Sequence, residues 1–185
     1  ARMLPKRKWY RRPVDIVLGK AIFYFILYLL MAIYAYAAVT RWFSLPNVGN
    51  YFVFLRFIIP YILACIFMAM VLSVLVYRRE DCIMLFVFLS VPLLFMSGIS
   101  WPGSEIPEFW KYVSWLFPST FGMNGYLRIM GTGASIQDIH HEYVGLWCQV
   151  GVYGILACIM YRLRLKAIVK RLSSAKNRQK MYQEE

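Results

Sequence analysis

Two histidines, four cysteines and nine acidic residues are nearly all that this chain of 185 residues offers for catalytic or metal chemistry. The cysteines, Cys65, Cys82, Cys148 and Cys158, form no CxxC pair and show no zinc-like spacing. At least two lie inside apolar runs, where a thiol behaves as a small hydrophobe, so neither a disulfide framework nor a metal site organises the fold. His140 and His141 stand beside Asp138 and Glu142. Adjacent residues on a helix point in different directions, so these four read as polar residues at a helix mouth and not as a chelate. No glycine-rich phosphate loop, nucleophile elbow or carboxylate pair is present, so the chain is expected to bind no cofactor and to catalyse nothing itself. Charge is scarce too: 16% of residues are charged, where a soluble domain carries about a quarter.

The remainder is apolar. Hydrophobic residues make up 61% and aromatic ones 18%, with mean hydropathy +0.54. The apolar runs reach the roughly 18 residues that separate a membrane span from a buried core helix. These features predict an all-α integral membrane protein with four transmembrane helices, at about 19–39, 57–77, 82–99 and 144–161. Residues 1–18 form a basic, amphipathic cytoplasmic segment with Pro13 in a first helical turn. The stretch 105–130 is broken by Pro107, Pro118 and several glycines into Phe109–Phe117 and Phe121–Met130, each too short to cross. It predicts two short helices at the outer face. Residues 162–185 form a basic cytoplasmic tail. Ala35-Tyr36-Ala37 resembles a signal-cleavage site, but the run from Ile22 to Val39 exceeds a signal core of about 7–15 residues.

The net charge of +12 does not point to nucleic acid, because no basic soluble fold remains once the spans are set aside. The charge is instead sorted by side. With the N-terminus, the Arg78–Arg79 turn and the tail placed together, that side holds seventeen Lys and Arg, against four on the other. Positive charge gathers on the cytoplasmic side, which places both termini there. Trp42, Trp101, Trp110, Trp115 and Trp147 then mark the outer interface, and Trp9 the inner one. No acidic residue lies centrally in a span, and Lys20 and Arg56 sit at span ends, where they can snorkel. A proton relay is therefore not visible, which disfavours a proton-driven carrier and leaves the energy to come from elsewhere.

One order of motifs is more specific than any of its parts. Pro13 is followed by Gly19-Lys20 at a span start, then Ser97-Gly98, Pro102 and Ile106-Pro107 at an outer turn. Phe117-Pro118, Leu127-Arg128 and Gly131-Thr132-Gly133 come next, before a last span with a basic tail. Over about residues 10–165 the chain resembles the permease subunits of type-2 ATP-binding-cassette exporters, in their C-terminal part. Ile106 stands where Met is commoner in that family. The resemblance implies a dimeric exporter in the cell inner membrane that moves a hydrophobic or amphipathic substrate outward. It implies two partners, a cytosolic ATPase that binds the ATP and a second permease subunit. Pro13, Val14, Asp15 and Ile16 would couple to the ATPase, and Ser97, Gly98, Pro102, Pro107, Pro118 and Arg128 would shape an outer turn and lid. Family members have six spans, so the expectation is that two spans and any external domain between them precede Ala1. Two other classes stay open: a self-contained four-span multidrug carrier, and a non-transporting assembly subunit.

Overall fold

A computed structural model describes residues 13–42, 49–76, 79–96 and 108–184. These residues form six helices: α1 (Pro13–Trp42), α2 (Tyr51–Leu75), α3 (Arg79–Met96), α4 (Glu108–Ser114), α5 (Pro118–Thr132) and α6 (His140–Glu184). No strand occurs among the described residues, in agreement with the all-α expectation.

Among the described residues, three helices are long and apolar enough to cross a bilayer: Val17–Trp42, Tyr51–Val74 and His140–Arg164. The third predicted span is helical, but α3 spends its first three residues on Arg79, Glu80 and Asp81. The 15 positions from Cys82 to Met96 cover about 22 Å, short of a hydrocarbon core of about 30 Å. The predicted stretch continues to residue 99, outside the described residues.

Helix boundaries differ from expectation for physical reasons. The amphipathic segment and first span are continuous from Pro13, because Gly19 within an apolar run does not interrupt the backbone ladder. α2 begins six residues before the predicted start. Asn50 caps it, its Oδ1 accepting from the Phe52 N–H at 3.0 Å. Pro60 consequently sits inside α2 and is fully buried. The basic tail continues α6 through residue 184.

α2 is the hub of the packing. Toward its C-terminal end, Ile62, Ile66 and Met70 meet Val17 and Ala21 of α1 and Ala157 of α6. Toward its N-terminal end, Phe54 and Phe57 meet Phe121 and Ile129 of α5, Leu146 of α6 and Ile139 just before it. Small residues permit these approaches, Ala64 and Ala157 being fully buried. α1 and α3 instead show much of their apolar surface, including Phe23, Ile26, Phe86 and Phe88. A water-soluble protein would not tolerate so much exposed apolar surface, whereas lipid solvates it.

Candidate functional site

Two ends of the bundle carry the polar contacts. At one end the start of α1, the end of α2 and the middle of α6 meet. Lys20 Nζ lies 3.4 Å from the Tyr161 hydroxyl and 5.3 Å from that ring's centroid. The Arg164 guanidinium donates to the Val76 carbonyl at 3.1 Å, satisfying a carbonyl at the negative end of the α2 dipole. Of the residues expected to couple to an ATPase, Pro13, Val14, Asp15 and Ile16 form the opening of α1 at this same end, and Asp15 is exposed.

At the opposite end the chain breaks between α4 and α5. Three N–H groups of the break turn back on α4: Trp115 to the Lys111 carbonyl, Leu116 to Val113 and Phe117 to Ser114. Pro118 opens α5 with no N–H to satisfy and is fully buried. Carbonyls at such a break need donors from elsewhere, since an unmet polar group at membrane depth costs several kcal/mol. α6 supplies them. Gln149 Nε2 donates to the Trp115 carbonyl at 2.7 Å, and the Tyr153 hydroxyl donates to the Leu116 carbonyl. Gln149 and Tyr153 lie four apart on the buried stripe that also holds Glu142, Leu146 and Ala157. From His140 they stand about 14 and 20 Å along the α6 axis, at 1.5 Å per residue. The break is thus hung well down the last span.

A second tie joins α5 to the start of α6. Arg128 Nη1 lies 3.2 Å from Glu142 Oε1, with the arginine half exposed and the carboxylate largely buried. Glu142 occupies the first turn of α6, where the helix dipole favours negative charge. Its Oε2 is buried without a partner, as are Gln149 Oε1 and Ser119 Oγ. α5 ends on Gly133, whose φ of 67° closes the helix onto the Arg128 carbonyl. The Ser135 N–H and hydroxyl then both donate at 2.8 Å to Asp138 Oδ2, holding that carboxyl below its ordinary range. The His141 ring sits near Trp115 and Phe121.

Pro118 and Arg128 therefore belong to one polar junction. Ser97, Gly98, Pro102 and Pro107 lie outside the described residues. Gly19 and Lys20 fall at the far end, with open space beside Gly19. Gln149 and Tyr153 carry the junction yet escape the motif reading. Their one signal was a pair of hydrogen-bonding side chains four apart in an otherwise apolar span.

Long apolar helices around a central α2, with the break between α4 and α5 tied to the last span, define a multi-pass membrane protein. The family model described as "ABC-2 family transporter protein" matches residues 11–159, and the chain belongs to that family. No curated protein matches the chain, and no solved structure does.

Proposed function

We propose that this chain is the membrane-spanning part of an ATP-binding-cassette exporter, moving a hydrophobic or amphipathic substrate outward with energy from a separate ATPase. The observation that carries the reading is the α4–α5 break, fastened to α6 by Gln149, Tyr153 and the Arg128–Glu142 pair. It lies at the end of the bundle away from Pro13–Lys20. Two short helices so tied suit an outer lid, and the opening of α1 suits a contact for the ATPase. In this reading α3, continued past Met96, completes a fourth span, both termini are cytoplasmic, and a second permease subunit faces this one. Membrane spans without a central carboxylate fit drive by a partner and not by protons.

The test is reconstitution in liposomes of the full permease containing this chain. With the ATPase, export of a hydrophobic dye is expected to require ATP. Without it, a pH gradient alone is expected to drive no uptake of cationic drugs. Robust gradient-driven uptake would replace the exporter with a self-contained carrier.

A further inference from the structure

α5 lies unusually close to α2. A side chain added at Gly122 would place its Cβ 2.2 Å from the Tyr61 ring, and one at Gly125 would stand 2.3 Å from the Phe57 ring. Two glycines three apart therefore seat two aromatic rings four apart, and helices meeting through rings and bare backbone leave gaps beside the contact. One such gap is a half-open cavity of about 250 Å³ whose wall includes Phe57, Ile58, Tyr61, Met123 and Tyr126, with the Ser119 hydroxyl as a polar group in it.

Size and chemistry narrow what fits. An apolar cavity of about 150 Å³ holds one benzene ring, while pockets for drug-sized ligands begin at about 300 Å³. The space here falls between the two. No charged residue lines it, so an ion entering would lose its water with no countercharge to replace it. Three aromatic residues in the wall offer faces and edges to a ring, which gains specific stacking beyond simple burial. A flexible acyl chain gains no such stacking and loses more rotamer freedom on ordering. Counted from Tyr51, the cavity-lining stretch Phe57–Tyr61 lies about 9–15 Å along the α2 axis, a depth that a neutral molecule dissolved in the bilayer reaches.

We propose that the cavity between α2 and α5 binds an uncharged aromatic group of one or two fused rings. Binding is a property of these two helices and is read without any ATPase, so its failure would leave the exporter reading standing. The experiment uses the full chain in lipid nanodiscs with a naphthalene bearing a small diazirine, crosslinks being mapped by mass spectrometry. Crosslinks are expected on residues 57–61 and 122–126, above the background on lipid-facing α1 and α3. Excess naphthalene is expected to remove them, and 2-naphthoate, of similar size but charged, to leave them in place. Met123→Trp, which fills the space, is expected to lower cavity labelling at least tenfold. Ile58→Trp, filling from the opposite wall, gives the same reading should the first variant fail to fold. The proposal is overturned if labelling in the cavity only matches that on α1 and α3, or if naphthoate competes as well as naphthalene. It is equally overturned if a diazirine-tagged phosphatidylcholine labels the cavity and naphthalene does not displace it, for the occupant is then an acyl chain.

Discussion

A serine in a helix usually returns its hydroxyl to a carbonyl three or four residues back. For Ser119 those carbonyls belong to Leu116 and Trp115, and both already accept from α6, through Tyr153 and Gln149. The Ser119 hydroxyl is left buried without a partner. Ser119→Ala is therefore expected to be neutral or slightly stabilising in a detergent-unfolding assay, since it removes a group whose needs are unmet. Tyr153→Phe is expected to cost about 1 kcal/mol, the low end of the usual penalty for an acceptor that loses its partner, because the Ser119 hydroxyl stands within reach of the freed Leu116 carbonyl. Gln149→Leu should cost less than Tyr153→Phe, because it removes a made bond and an unmet Oε1 together. The sites are also coupled: once Tyr153 is Phe, the Ser119 hydroxyl can turn to the Leu116 carbonyl, so the double variant should be worse than the sum of the singles. Additive effects would show that the hydroxyl cannot make that exchange. Asp138 makes a pH prediction at the same scale. Its pKa is lowered in the folded chain by the Ser135 hydrogen bonds, so its contribution is present above the ordinary carboxylate pKa and is lost as pH falls through the lowered value. Amide protection over residues 134–140, with the intrinsic pH dependence of exchange divided out, is expected to fall on acidification, and Asp138→Asn to show much less of that dependence. None of this was legible from residue types alone. Gln149 and Tyr153 announce a polar pair on one face, but their partners are backbone carbonyls, which every residue carries.

At the scale of elements, the glycines of α5 show what a sequence reveals and what it hides. Gly122 and Gly125 stand out in the sequence together with Gly131 and Gly133, and all four read as helix breakers. Only Gly133 has that role, at a left-handed position closing α5. Gly122 and Gly125 lie inside the helix and are buried against Tyr61 and Phe57. Composition cannot separate the two uses, because the neighbouring ring comes from a helix more than fifty residues away. Gly125→Leu is expected to push α5 off α2, measured as loss of folded protein on size-exclusion chromatography, whereas Gly131→Ala, which meets open space, should be tolerated. The outer turn allows a parallel comparison in function. If Gly98 packs a neighbouring helix closely, Gly98→Leu loses export at near-normal expression, and Pro107→Ala is milder because Pro102 shares the work of stopping the helix. Wild-type export by Gly98→Leu would remove the outer turn from the lid. The existence and order of the helices were readable from apolar runs and prolines. The early start of α2 was not, because the cap bond at Asn50 is a single local contact.

Across the whole molecule, the seventeen-to-four division of positive charge groups the N-terminal segment, the end of α2 and the tail. The contacts of Lys20 with Tyr161 and of Arg164 with Val76 bring the adjoining helix ends together. Which compartment that end faces is a matter for labelling. In a cysteine-free background, thiols placed at Asn47 and Ser104 are expected to react with an impermeant reagent outside intact cells, and a thiol at Ser173 is not. Labelling of Ser173 would invert the topology. Asp15→Lys raises the same charge bias, so insertion should hold while transport falls if Asp15 meets a basic patch on the ATPase. Unchanged transport would reduce it to a surface residue. The unbroken length of α6 carries one more consequence, a mechanical one. Tyr161 and Arg164 touch α1 and α2. Tyr161 stands about 18 Å along the helix axis from Gln149, and from Arg164 the helix runs about 30 Å further to Glu184, at 1.5 Å per residue. One continuous helix thus carries both the tail and the side chains that hold the Trp115 and Leu116 carbonyls, with no joint between them.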